Sequence, residues 1–80
     1  MSCNFSQKVQ IGVWEVQVDP DEGYGYFERE TDGAGGGLWF DVDAALGKLS
    51  LVDYDGVCAL HSDVVKAIRE LGHVVGPEFE

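Results

Sequence analysis

A glycine-rich run at 33–37 (GAGGG) leads directly into the aromatic segment 38–40 (LWF), and such a run can cradle a phosphate or form a loop. A P-loop needs G-x-x-x-x-G-K-[ST] between a strand and a helix, so that amides at the helix N-terminus meet the phosphate. The only Gly-Lys pair is Gly47-Lys48, which is followed by Leu49 and has no glycine five residues ahead of it. A dinucleotide fingerprint also fails, because Leu38 stands where its third glycine is required. The run is therefore predicted to be a hairpin loop over 31–37.

The acidic segment 19–30 has the outline of a calcium-binding loop. Asp19, Asp21 and Glu30 stand at positions one, three and twelve of an EF-hand. However, Tyr24 occupies the position that requires glycine, and predicted strands rather than helices flank the segment. Residues 19–23 (DPDEG) are therefore predicted to form a turn, in which proline fixes one dihedral angle and glycine permits a positive φ.

Cys58 and His61 form a Cys-x-x-His pattern, which is compatible with zinc binding and with a cysteine nucleophile. Structural zinc sites usually show two close ligand pairs. Cys58 and His61 form one such pair, and only Cys3 and His73, both distant in sequence, are candidates for the remaining ligands. A small buried hydrophobe is the commoner role for a cysteine in a strand, and His61 is predicted to begin a helix. The serines and histidines form no recognisable triad. We expect no catalytic site, no metal site and no cofactor.

These residues need elements to position them, and the apolar spacing predicts an α+β domain. Strands are predicted over 9–18, 24–30, 38–42 and 49–53, and a fifth over 57–60 closes a hairpin around the turn Tyr54-Asp55-Gly56. A helix opens near His61, places Val64, Val65, Ile68 and Leu71 on one stripe, and ends at Gly72. The predicted fold is an antiparallel β-meander of about five strands with one C-terminal amphipathic helix packed on one face. A short last strand is expected over 73–75.

The alternation in the segment 9–18 changes phase at its centre. Val9, Ile11 and Val13 fall on one side, whereas Trp14, Val16 and Val18 fall on the other. We expect either a bulge near 12–14 or a strand buried on both faces.

One helix covers only one face of a sheet, so a second set of large side chains is expected on the other face. This set comprises Trp14, Val16, Tyr24, Tyr26 and Trp39. Either the sheet curls into a half-barrel or another subunit packs on this face, and the surplus motivates a homodimer hypothesis. Asp41 and Asp43 are expected opposite Phe40 and Val42, where they are solvated.

The composition limits the classes of function that are compatible with this chain. Eighty residues make one domain, 1–80, in which 1–7 is expected to fray. Fifteen carboxylates against five Lys and Arg give a net charge of −10, which disfavours nucleic-acid binding and suits solubility or a basic protein partner. No stretch has the apolar length of a membrane helix, and residues 1–8 do not resemble a signal segment. We therefore expect a cytoplasmic protein with free thiols and no membrane partner.

Three segments, 36–40 (GGLWF), 51–56 (LVDYDG) and the helix through 70–72 (ELG), resemble small bacterial proteins of unknown function that include products of integron gene cassettes. The likeness covers roughly 24–75. Relatives in that group often carry Pro where His61 stands. The resemblance implies a cytoplasmic bacterial protein and supplies no active-site residues.

The aromatic residues give the strongest functional signal, since Trp and Tyr carry much of the energy of protein interfaces. The candidate partner or pocket surface consists of Trp14, Tyr24, Tyr26, Trp39 and Tyr54. The leading hypothesis is an acidic, non-catalytic interaction module that associates with itself. The alternatives are an acidic mimic that binds a basic, nucleic-acid-binding protein, and a small-ligand binder or enzyme with an aromatic-lined pocket. Filling of the core or of a dimer seam is the other explanation for these aromatics.

Overall fold

The computed structural model describes residues 7–43, 45, 47–56 and 60–79. Five strands form one open antiparallel sheet in the order β1-β2-β3-β4-β5, so each strand pairs with its neighbour in sequence. The elements are β1 (Gln7–Ile11), β2 (Trp14–Asp19), β3 (Tyr24–Arg29), β4 (Gly35–Asp43), β5 (Lys48–Tyr54), the helix α1 (Ser62–Glu70) and a 3-10 turn (Pro77–Phe79). The predicted α+β meander with one helix is confirmed, although α1 is not the last element of the chain.

The segment predicted as one strand over 9–18 is a hairpin, so both expectations for its phase change were wrong. β1 and β2 are joined by Gly12 and Val13, and Ile11 pairs directly with Trp14. Gly12 has a φ of 61°, which places a glycine at the first central position as a type II′ turn requires. Because the chain reverses here, the two alternating sets of apolar residues end on the same face of the sheet.

The glycine run is only partly a loop. Gly35, Gly36 and Gly37 lie inside β4, where they pair with Glu28, Phe27 and Tyr26 of β3. The loop between β3 and β4 is therefore confined to 30–34, and the prediction of a loop over 31–37 was wrong for its last three residues. Glycine weakens a strand, and its presence in one often marks a close approach of neighbouring atoms.

The helix begins and ends as its sequence predicts. His61 is the N-cap, and its Nδ1 accepts a hydrogen bond from the backbone N–H of Asp63 at 3.1 Å. The helix buries Val64, Val65, Ala67 and Ile68. Gly72, just past the C-cap, has a φ of 88°, the left-handed conformation common after helix ends.

The core lies between α1 and one face of the sheet, which we call the inner face, and the opposite side is the outer face. α1 packs on β1 and β2. Val16 and Val18 are fully buried there, and Trp14 is 8% exposed. Trp14 and Val16 were expected on the side away from the helix, and this was wrong because the hairpin turn at Gly12 reverses their direction.

The edge of the sheet at β5 receives a short parallel pairing from the segment after the helix. The N–H of Val74 donates to the carbonyl of Leu49, and the N–H of Leu51 donates to the carbonyl of Val74, both at 2.9 Å. The expected last strand over 73–75 is thus reduced to a single bridge between Ser50 and Val74. The fifth strand predicted over 57–60 lies largely outside the described residues, since 57–59 are not among them.

The sheet is strongly curled, as is evident from one imidazole that contacts both of its outermost strands. The N–H of Leu49 in β5 donates to Nδ1 of His73 at 3.2 Å, and Nε2 of His73 lies 2.5 Å from Oε1 of Gln7 in β1. In a flat five-stranded sheet these strands would lie about 19 Å apart, from a spacing of about 4.8 Å per strand. The inner face is therefore concave, and the outer face is convex.

Candidate functional site

The outer face carries three of the five residues predicted to form a partner or pocket surface. The register pairs Tyr24 with Trp39, and Tyr26 with Gly37, so Tyr24, Tyr26 and Trp39 share the outer face of two adjacent strands. The rings of Tyr24 and Trp39 are 5.8 Å apart at an interplanar angle of 60°. Trp39 is 41% exposed, which is unusual for so large an apolar side chain. None of the described elements packs on this cluster.

Gly37 lets the indole of Trp39 lie close against β4. A Cβ added at Gly37 would lie 2.9 Å from Cη2 of Trp39 and 3.3 Å from both Cζ2 and Cζ3. The distances to Cζ2 and Cζ3 are equal and only slightly longer than the distance to Cη2. The added Cβ would therefore lie over the face of the ring. One face of the indole therefore lies against Gly37, and the opposite face is turned away from it.

A bulge in β5 brings an apolar residue beside Trp39. Trp39 pairs with Asp53, while the next residue, Phe40, pairs with Leu51, so Val52 is an extra residue on β5. Val52 is 47% exposed. The extra residue therefore lies between the positions that pair with Trp39 and Phe40, next to Asp53. Sequence reasoning missed this position, since an irregular register leaves no signal in the strand itself.

Carboxylates outnumber cations on the outer face. Besides the buried Asp19, the register places five acids there against two lysines, Lys8 and Lys48; the acids are Glu15, Glu28, Asp41, Asp43 and Asp53. Lys8 lies 3.6 Å from Glu15, and Lys48 pairs in register with Asp43 at the end of β4. The expectation that Asp41 and Asp43 lie opposite Phe40 and Val42 agrees with this register. Around Trp39 the local field is negative.

The other two predicted surface residues lie elsewhere. The ring of Trp14 packs in the core, 5.9 Å from Phe27 and 5.4 Å from His61, with the guanidinium of Arg29 5.6 Å from its centroid. Tyr54 is half-buried at the edge of the core and meets Phe79 at 5.9 Å. Both residues face inward because the register pairs them with core positions. The cluster on the outer face is therefore smaller than predicted.

The acidic segment 19–23 is a turn that its own side chain stabilises. Oδ1 of Asp19 accepts hydrogen bonds from the N–H groups of Asp21 at 3.0 Å and Glu22 at 3.2 Å. Gly23 closes the turn with a φ of 68°. Asp19 is 1% exposed, so this carboxylate is committed to backbone hydrogen bonds. The arrangement agrees with the predicted turn.

No group of three potential metal-ligating side chains occurs among the described residues. Cys3 and Cys58 both lie outside them, so the Cys-x-x-His pattern is represented by His61 alone. His61 caps the helix, as predicted.

An ion pair between the end of β3 and the β3–β4 loop lowers the pKa of a carboxyl group. Nε of Arg29 donates to Oδ1 of Asp32 at 2.9 Å, and the second guanidinium nitrogen reaches Oδ2. This hydrogen bonding, with a further bond from the N–H of Ala34, lowers the pKa of Asp32 to about 2. The side chains of the pair are 40% and 50% exposed, so it orders the loop more than it stabilises the fold.

A groove of about 580 Å³ runs along α1 on the other side of the molecule. Its lining combines an apolar floor with the charged side chains of Lys66, Arg69 and Glu70. Arg69 is already engaged, since its guanidinium donates to the carbonyl of Val75 at 2.8 Å. None of the residues predicted to form a site lines this groove.

Comparison with protein-family models, curated proteins and solved structures found no match to this chain. Neither described helix has the length and apolar character needed to cross a bilayer.

Proposed function

We propose that this chain is a non-catalytic protein-interaction module that binds through the outer face of its sheet. The observation that carries the proposal is the aromatic cluster of Tyr24, Tyr26 and Trp39, with Trp39 41% exposed on a sheet face that no described element covers. Exposed Trp and Tyr on a rigid element are typical of interface hot spots. The cytoplasmic location and the resemblance to integron cassette products remain part of this proposal.

The shape of the sheet favours a flat partner surface over a small ligand. Small-molecule sites are concave and bury most of the ligand. The aromatic cluster lies on the convex side of a curled sheet, and two of the residues expected to line a pocket, Trp14 and Tyr54, pack inward. A pocket-binding or enzymatic role is therefore the weaker alternative.

Site-specific photocrosslinking tests the proposal. A photoreactive amino acid at Val52, beside Trp39, is expected to form adducts with a binding protein in a lysate of the source organism, and Trp39→Ala in the same chain should abolish them. The same amino acid at Lys66 on the opposite side serves as the control. Adducts at Lys66 alone, or adducts at Val52 that survive Trp39→Ala, would contradict binding through the outer face.

Self-association through the outer face is the second candidate, favoured by the two adjacent exposed apolar residues Trp39 and Val52. A homodimer would bury both against a second copy. Sedimentation velocity at tens of micromolar should then show a dimer that Trp39→Ala converts to a monomer. A mass of one chain for the unmodified protein would exclude this occupant and leave a different protein as the partner.

A further inference from the structure

We infer that the occupant of the outer face is a Lys- and Arg-rich protein segment, and that one of its cationic side chains stacks on the outward face of the Trp39 indole. The inference rests on the interaction function proposed above and names the chemistry of the partner. It also predicts which side chains near Trp39 take part, Asp41 and Asp53.

The negative charge of the outer face favours a positively charged partner. Besides the buried Asp19, five carboxylates and two lysines line the outer face, and the whole chain carries a net charge of −10. Both lysines are placed against acids, Lys8 beside Glu15 and Lys48 opposite Asp43. Electrostatic complementarity steers association and suppresses like-charged partners. A second copy brings an equally acidic face, and nucleic acid brings phosphates, so a basic segment is the complementary occupant.

The geometry of Trp39 suits a cation. Its indole lies against Gly37 with the opposite face turned away from it, the side chain is 41% exposed, and tryptophan is the best of the aromatic residues at binding a cation over its ring. Asp53 pairs with Trp39 in register, and Asp41 follows two residues along the same face of β4. Both carboxylates therefore lie on the same face of the sheet as the ring and attract a guanidinium or ammonium group placed over it.

The same chain already contains this arrangement inside the fold. The guanidinium of Arg29 lies 5.6 Å from the ring centroid of Trp14, and its nitrogens bind the carboxylate of Asp32. One cation thus contacts an aromatic face and a carboxylate at once. Trp39 with Asp41 and Asp53 offers the aromatic face and the acids, and the partner supplies the cation.

Nuclear magnetic resonance titration tests the inference. The probe is a decapeptide of alternating Lys and Arg, added at low salt to the full chain labelled with ¹⁵N. The Trp39 indole signal, assigned with Trp39→Phe, is expected to shift saturably while that of Trp14 stays in place. Affinity should fall about tenfold in Trp39→Ala and about threefold in Asp41→Asn. A decapeptide of alternating Glu and Asp should cause no shift.

Glu70→Gln is the matched control, since it removes the same charge from the exposed side of α1, away from the outer face. Equal weakening by Asp41→Asn and Glu70→Gln would overturn the inference, because it would show attraction to net charge alone. Concentration-dependent shifts at Trp39 without peptide would also overturn it, in favour of a second copy. A null titration combined with adducts at Val52 would refute the basic partner and keep the interaction function; loss of both results would refute the function as well.

Discussion

Gly36 and Gly37 are neighbours in β4, yet they lie under different constraints. A Cβ at Gly36 would lie 2.3 Å from the carbonyl oxygen of Asp55, a backbone atom that cannot move without shifting the strand end. The three atoms nearest to a Cβ at Gly37 would all belong to the far end of the Trp39 side chain, which can rotate away. Absence of a side chain is thus needed for packing at Gly36 and for the placement of one indole at Gly37.

The pair gives a prediction with a built-in control. Gly36→Ala should lower the free energy of unfolding by about 2 kcal/mol, as expected for an overpacked site. Gly37→Ala should change it by less than about 0.5 kcal/mol while shifting the indole signal of Trp39. Urea denaturation and the indole spectrum measure both effects. Equal destabilisation by the two substitutions would show that the indole of Trp39 cannot move.

At the scale of elements, the β1–β2 hairpin decides which side chains form the core. Its two-residue turn places Val9 opposite Val16 and Ile11 opposite Trp14, all toward the helix. The left-handed conformation of Gly12 makes this turn possible. The same apolar residues in one unbroken strand would have covered both faces.

Gly12→Ala should therefore destabilise the protein by about 1–2 kcal/mol, the cost of placing an L-residue in the left-handed region. The added Cβ also comes within 3.2 Å of a carboxylate oxygen of Asp63 at the start of α1. Val13→Ala, at the exposed neighbouring turn position, is the control and should change stability by less than about 0.5 kcal/mol. Thermal unfolding of both variants measures the difference, and equal melting temperatures would argue against a turn that depends on Gly12.

At the scale of the whole molecule, His73 connects the first and last strands. It is 7% exposed, and burial lowers its pKa below the usual value of 6.5. Because Nδ1 accepts the hydrogen bond from the N–H of Leu49, the imidazole is neutral with its proton on Nε2, which donates to Gln7. Protonation of Nδ1 would place its N–H against the N–H of Leu49. The imidazole could then no longer bridge β1 and β5 through hydrogen bonds on both sides.

Stability should consequently depend on pH through His73. The unfolded chain binds the proton more tightly than the folded one, so this contribution is complete above about pH 6.5 and is lost as the pH falls toward the lower pKa of the folded state. His73→Asn keeps an acceptor for Leu49 but does not titrate, and it should lose less stability between about pH 7 and 5. Urea unfolding across this range tests the difference. Parallel curves for the two proteins would contradict the role of His73.

The sequence by itself determined the fold class, the capped helix with its buried stripe, and the turn at 19–23. These features depend on local periodicity and on local side-chain-to-backbone hydrogen bonds, which few neighbours can override. The helix stripe from Val64 to Ile68 and the N-cap at His61 were read in this way. The nucleotide and calcium motifs were also rejected on local grounds, namely their spacing, the residue types at required positions and the predicted flanking elements.

Only the tertiary structure decided which aromatic residues reach the surface. The reversal at Gly12 moved Trp14 into the core, pairing with Leu38 turned Tyr54 inward, and a bulge at Val52 set Asp53 opposite Trp39. Each outcome depends on strand register, and a shift of one residue exchanges the two faces of a strand. Register is fixed by contacts between strands, so the composition of the outer face could not be predicted from any single segment.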